Sequence, residues 1–379
     1  MSPKRFVNLD AANEKYGRHR VTRMGHFLEQ GDPLADAAVT ELAARPKPEQ
    51  DVLMKALLDG DGSVLPPALR AFEATLSATP LWVDRSRGDR GGELLLRHGL
   101  LSGLVLAFKS LSLGYCSPAG NKPLAFSARL TEDTSRRLGE TAKFVEAVSL
   151  PRGMERHGEG FAATVKVRLM HARVRVGLTR SAKWSHADWG LPINQYDMAG
   201  TILLFSLLLV DGLRQLGVSV SKEEETDVLH LWRHVGAVMG VDHELLAATR
   251  DEADTIWGLI QDTQAPPDDD SRRLTQALID SAKTRGAPEL YVSFTAALCR
   301  HFVGARLADA LHLPKNAWVI APAVVRTFIR PVEVAIRALP GGRGAALKVG
   351  MLYWKRTTEV GQGHLTNFPL PSVDRFEAR

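Results

Sequence analysis

The sequence predicts an all-α protein on three observations. Apolar residues recur at helical spacing through most of the chain, alternating stretches are few, and proline or glycine turn signals separate the helical segments. In chain order the spacing predicts helices over 34–45, 50–59, 66–76 and 92–113, the third opening at the Pro66-Pro67 pair. Helices over 129–148 and 161–178 follow. Beyond the Gly190-Leu191-Pro192 turn comes a very apolar helix over 194–216, with Asn194 resembling an N-cap and Gly217 a C-terminal cap. The remaining helices are expected over 222–239, 242–261, 274–285, 288–311 and 320–338, the last ending before PGGRG at 340–344. DTQAPPDDDSRR, 262–273, reads as a surface loop, because two prolines and three aspartates in succession are poor helix formers. Apolar helices on both sides make that loop an excursion from one core, so residues 1–379 read as a single large domain. VGMLYW, 349–354, suggests a short strand or extended arm. No internal repeat or low-complexity tract is present.

The 379 residues are 45% hydrophobic, enough for a large core. Forty-eight Lys and Arg against 43 Asp and Glu give a formal charge of only +5, interspersed rather than blocked, which argues against nucleic acid as partner. Two cysteines, Cys116 and Cys299, exclude a disulfide framework, a cysteine-rich zinc site and haem attachment through Cys-x-x-Cys-His. Both read as small core residues rather than nucleophiles, in a reducing compartment. The start, MSPKRFVNLDAANEKYGRHR, has no apolar signal-peptide core, so a cytoplasmic protein is expected. The apolar stretches 98–116 and 198–210 read as buried core helices rather than membrane spans: the first carries His98 and Lys109, and the second is shorter than the roughly 20 residues that cross a bilayer.

RLMHARVR, 168–175, places His171 in an otherwise apolar helix, with Arg168 and Arg175 about one turn to either side. At 100° per residue, Val167, Val174 and Leu178 flank His171 within about 60° on one side, and the two arginines within about 60° on the other. Lys166 and Arg173 point elsewhere and read as solvated charges. The histidine therefore sits at a seam between an apolar strip and two cations. Two readings fit that position. One is a structural histidine with salt-bridged arginines; the other is an axial haem ligand with cations for two propionates. Upstream, SRRLGETAKFVEAV, 135–148, has the apolar stripe Leu138, Thr141, Val145 and Val148, with Arg137 and Phe144 in the same sector and Glu140 on its flank. Polar groups beside a core face need partners, so an internal Arg–Glu pair and a functional site are both open there.

Taken together, GDPLADAA (31–38), RRLGET (136–141), VRLMHARVR (167–175), GLPINQYDMAGTILLFS (190–206), GLRQLG (212–217) and LWRHVGAVMGV (231–241) resemble the latex clearing protein family of rubber oxygenases. The wider domain family includes the fungal membrane-bound oxygenase of mycophenolic acid biosynthesis. The similarity runs through residues 25–245, the expected haem-binding core, and is looser beyond. It implies a globin-related helical fold holding b-type haem, with His171 as the proximal iron ligand, Arg168 and Arg175 supporting the cofactor, and Arg137 and Thr141 on the distal side. In the rubber oxygenases the distal motif reads Arg-x-x-Lys-Thr, and the lysine can cap the iron. Here Glu140 stands in its place. That departure, with the missing export signal, points away from rubber and toward a small apolar substrate such as an isoprenoid, a lipid or a secondary metabolite. The resulting expectation is a haem-dependent oxygenase, an oxidoreductase using dioxygen, with Arg137, Glu140 and Thr141 as its catalytic residues.

Three rival readings remain at this level. A peroxidase-like or isomerising haem enzyme would use Arg137 to polarise an O–O bond. A haem sensor or carrier would need no turnover, though no output domain is visible. A non-haem metal site would rest on His230 and His234 of HLWRH, with Glu223 to Glu225 nearby, but the glutamate of a zincin motif is lacking. GGRGAAL, 341–347, is a turn rather than a dinucleotide fingerprint, and no nucleophile elbow or phosphate-binding loop is present.

Overall fold

The computed structural model describes residues 2–126, 134–284 and 286–360. Among them there is no strand, only an isolated bridge between Phe6 and Gln264. Two short helices not expected from the sequence come first, α1 (Leu9–Tyr16) and α2 (Arg18–His26). α3 (Pro33–Ala43) starts where the Asp32 carboxylate accepts the Ala35 amide and Pro33 fills the first turn. α4 (Lys47–Asp59) and α5 (Pro67–Ser77) also carry proline in their first turn.

The expected helix over 92–113 is two helices. α6 (Arg85–Arg97) and α7 (Gly99–Val105) meet at 90° across His98. The His98 ring is held by the Leu94 carbonyl at 2.9 Å and by Glu333, far along the chain, at 3.1 Å. A π-helical turn (Leu106–Leu111) then leads through α8 (Ser112–Gly114) to α9 (Lys122–Phe126).

α10 (Thr134–Ser149) is the expected helix of 129–148, whose predicted start lies outside the described residues. α11 (Glu159–Arg180) carries His171, and the short α12 (His186–Trp189) follows it. α13 (Gln195–Phe205) begins at Asn194, whose side chain accepts the Asp197 amide as its sequence position suggested. At Ser206 the chain bends before α14 (Leu207–Gln215), where the Ser206 hydroxyl at 2.8 Å and its amide at 3.1 Å both donate to the Ile202 carbonyl, an arrangement that often bends helices. The stretch Gln195–Gln215 is long and apolar enough to cross a membrane, but 78% of it is buried inside the protein, as a core helix would be.

α15 (Lys222–Val238) opens on a capping box of Ser221 and Glu224. The helix expected over 242–261 is preceded by a single turn (His243–Leu245) and starts only at Thr249, which caps α16 (Arg250–Thr263). The predicted loop 262–273 is shorter than expected. Asp268 accepts the Ser271 amide at 3.0 Å, and Asp269 and Asp270 fall in the first turn of α17 (Asp269–Thr284), where carboxylates favour the positive end of the helix. α18 (Glu289–Val303) and α19 (Ala305–Ala310) are separated at Gly304, and α20 (Ala321–Ala338) follows. The strand expected over 349–354 is instead part of α21 (Gly342–Val360), which packs against α6, α7 and α10 and buries Trp354.

One hydrophobic cluster runs from Phe6 to Trp354. α6 lies inside it, and Leu94, Leu95 and Leu96 are each at most 1% exposed, contributing roughly 1.5–3 kcal/mol apiece. α10 and α3 both pack on α11, so the histidine helix is enclosed by the helices that carry RRLGET and GDPLADAA.

Candidate functional site

His171 lies near the middle of α11, half-buried, with its Nδ1 fully enclosed and without a hydrogen-bond partner among the described residues. Burial, and then the neighbouring Arg175 guanidinium, drive its pKa down to about 4 against the pull of Asp32, so the imidazole is neutral at physiological pH. The residue keeps accessible surface even though it is enclosed deeply enough to lose its charge. A buried polar atom with no partner is rare, and a neutral imidazole with an unclaimed nitrogen is the form that binds metal.

The two arginines are engaged elsewhere. Arg168 grips Asp32 through Nε at 2.6 Å and Nη2 at 3.1 Å, donates from Nη1 to the Val238 carbonyl at 3.1 Å, and stacks over Phe72. Arg175 grips Asp36 through Nη2 at 2.7 Å and Nε at 2.9 Å, and donates from Nη1 to the Ile193 carbonyl at 2.9 Å. The anions that the sequence left open for Arg168 and Arg175 are therefore Asp32, the N-cap of α3, and Asp36 within it. Arg173, expected to be a solvated charge, is only 5% exposed, and burial lowers its pKa. The helix wheel misjudged it because neighbouring helices cover that face.

Gln195 ties the motifs together. Its Nε2 donates to the carbonyls of Gly31 at 2.8 Å and Gly240 at 2.9 Å, and its Oε1 accepts the Asp242 amide at 2.8 Å. Gly240 has φ +82°, and a Cβ there would lie 2.5 Å from both Arg168 Nε and Asp32 Oδ2. Residues from GDPLADAA, VRLMHARVR, GLPINQYDMAG and LWRHVGAVMGV thus form one polar cage beside His171. Beyond it, buried Arg5 clamps Asp197 at 2.6 and 2.7 Å and reaches Ser117 at 3.3 Å. Asp32, Asp36 and Gln195 were inside the quoted motifs, but nothing in the sequence identified their partners. Arg5 carried no signal at all.

On α10, Arg137, Glu140 and Thr141 are all half-buried, while Phe144, Val145 and Val148 are buried as the stripe predicted. Glu140 pairs with Arg136, not Arg137, at 3.7 Å, too long for a hydrogen bond. Arg137 acts electrostatically on the phenol of Tyr115, whose pKa burial raises and Arg137 opposes. Phe144 meets Trp232 of α15, which in turn stacks on Phe205 at 4.8 Å, giving this side an aromatic wall.

The alternative metal site does not assemble among the described residues. His230 Nε2 accepts the Asp84 amide at 2.9 Å, and Trp82 packs edge-on against both His230 and His234. Glu224 and Glu225 are taken up by arginines. The one group of potential metal-binding side chains among the described residues is Asp242, His243 and Glu244 near the surface. Cys116 and Cys299 are buried, and burial pushes each thiol up to about 12, which removes them as nucleophiles.

Comparison with known proteins agrees with this architecture. The chain is 25% identical over 293 residues to a rubber oxygenase of Streptomyces sp. (strain K30), covering 76% of this chain and 71% of the relative. The solved structure of latex clearing protein in the closed state superposes with a TM-score of 0.68 at 21% identity, covering 91% of this chain and 94% of that one, which establishes the shared helical fold. A family profile described as ER-bound oxygenase mpaB/B'/rubber oxygenase, catalytic domain, matches residues 96–334, well over half of the sequence, and the chain belongs to that family.

Proposed function

We propose that this protein is a haem b-dependent oxygenase that uses dioxygen on a small apolar substrate, with His171 as the axial iron ligand. The observation that carries the proposal is the His171 ring: neutral, accessible on one part, and with a buried Nδ1 that no group among the described residues claims. Those are the properties required of a nitrogen donor to haem iron. When bound, the haem supplies the iron chemistry that activates dioxygen; the protein supplies binding, orientation and proton control.

Arg168 and Arg175 serve the cofactor by fixing α11, each neutralised by its own aspartate. Their rigidity sets the position and tilt of the imidazole between them, the task outer partners perform around metal ligands. On the facing helix, Arg137 and Thr141 supply hydrogen-bond donors, and the aromatic wall of Phe144, Phe205 and Trp232 supplies an apolar surface for substrate. Among the described residues Glu140 meets Arg136 at 3.7 Å, beyond hydrogen-bonding distance, and it keeps accessible surface, so its carboxylate has room to take up or hold a proton. A carboxylate cannot reproduce the lysine cap that the resemblance places at this position. That difference supports a substrate other than rubber, and the buried thiols suit a cytoplasmic setting.

Absorption spectra of the purified protein, as isolated and after dithionite, test the reading. A Soret band that shifts on reduction is expected, and His171→Ala should lose it while retaining helical circular dichroism. A colourless protein that takes up no haem overturns the proposal. With haem loaded, Glu140→Gln should cut turnover by about 10²-fold or more, the range for a general acid or base. Unchanged turnover would remove Glu140 from the proton path. Label from oxygen-18 gas in the product separates an oxygenase from a peroxide-driven enzyme.

A further inference from the structure

We propose that the α20–α21 face is a docking surface for anionic lipid membranes, with α20 lying in the plane of the bilayer interface. α20 buries one side only. Val325, Ile329 and Glu333 face the core, whereas Ile320, Val324, Phe328 and Val332, each four residues apart, form an exposed apolar strip along the helix. Phe328 is 71% exposed and Val334 67%, and on α21 Val349 and Leu352 extend the apolar surface. An apolar face of this extent marks an interaction site.

Charge selects the partner. Residues 314–360 carry eight Lys and Arg against two Glu, a formal +6, while the whole chain is only +5. The net positive charge of the protein is therefore concentrated in this segment. One of the two acids, Glu333, is buried against His98 and does not offset the surface charge. Arg326, Arg330, Lys348 and Arg356 are exposed and make no ion pair among the described residues. On α20, Arg326 and Arg330 lie on the exposed side opposite the apolar strip, the polar face of an in-plane helix, from which their long side chains reach toward headgroup phosphates. A second copy docking by the same face would bring two such basic surfaces together; an anionic headgroup layer neutralises them. At the start of the strip, Phe294, Trp318, Ile320, Val324 and Val325 line a cavity of about 550 Å³ with almost no polar surface, suited to an acyl chain.

Flotation of the full-length protein with vesicles tests the proposal. Binding is expected to phosphatidylcholine vesicles containing phosphatidylserine, to weaken as salt rises, and to be much poorer with phosphatidylcholine alone. Arg326→Glu with Arg330→Glu should lower partitioning by at least about tenfold, each lost basic charge near the surface being worth about fivefold. Phe328→Ser should lower binding even at low salt, with the melting temperature of both variants serving as the folding control. No binding at low salt, equal binding to neutral vesicles, or a dimer in free solution that Phe328→Ser splits would each overturn the assignment.

Discussion

At the scale of single residues, the environment of His171 is set by pairs far apart in sequence. Asp32 and Arg168 are 5% and 7% exposed at their side chains, and removing one partner leaves the other buried and unpaired. Asp32→Asn should therefore destabilise the protein by about 3–5 kcal/mol, seen as a lower urea midpoint, because α11 loses an anchor. Asp36→Asn should cost less, because Asp36 keeps 27% of its side-chain surface in solvent, so the Arg175 guanidinium, 2% exposed, is stranded beside a water-reachable position and keeps its bond to the Ile193 carbonyl. Equal losses would show that the Arg168 pair is not specially buried. Much of the local pattern was legible at residue level: the apolar strip, the flanking arginines and their helix were readable from spacing, and the family from the set of motifs. What those arginines bind was not, because a helix wheel describes one helix and the partners stand on another. Arg173 shows the same limit from the opposite side, a charge that looks solvated until neighbouring helices cover it.

At the scale of elements, the helices were readable but their breaks were not. Periodicity located helices over most of the chain. At the 90° turn, His98 is held by Glu333, more than two hundred residues away, and at the break before α14 the Ser206 hydroxyl and amide both donate to the Ile202 carbonyl, features that local periodicity does not show. VGMLYW reads as a strand by composition, yet it is helical because packing against α6 and α7 outweighs propensity. The three aspartates at 268–270 look like helix breakers and act instead as a cap and first turn. α6 itself depends on close approach: a Cβ at Gly92 would stand 2.2 Å from the Ser149 carbonyl oxygen of α10, and one at Gly91 2.3 Å from the Asp227 carbonyl oxygen of α15. Neither obstacle is a side chain that can swing aside. Gly92→Ala should push α6 and α10 apart and cost about 1–3 kcal/mol or more, despite the better helix propensity of alanine. A thermal melt at or above that of the parent protein would contradict that packing.

At the scale of the whole molecule, one carboxylate joins the C-terminal helices to the core. Glu224 caps its own helix by accepting the Ser221 amide at 2.9 Å, and it also pairs with Arg97 of α6 at 2.7 Å, Arg337 of α20 at 3.0 Å and Arg343 of α21 at 3.9 Å. Burial alone would raise its pKa, but the Ser221 amide, Arg337 and Arg97 outweigh it and hold the carboxyl down to about 2. Its folded pKa is below the unfolded value, so its contribution is complete above about pH 4.5 and lost as pH falls from there through about 2. The parent protein should then lose stability over that window more steeply than Glu224→Gln, which begins lower at neutral pH because the ion pairs are already gone. Other carboxylates held low by cations, Glu225 and Asp270 among them, titrate in both proteins, so the difference between the two curves isolates Glu224. Urea midpoints at pH 7, 4.5 and 3 measure it. Parallel curves would mean that α20 and α21 are held by apolar packing alone, whereas converging curves make Glu224 the acid-labile link between the basic C-terminal face and the helices around His171.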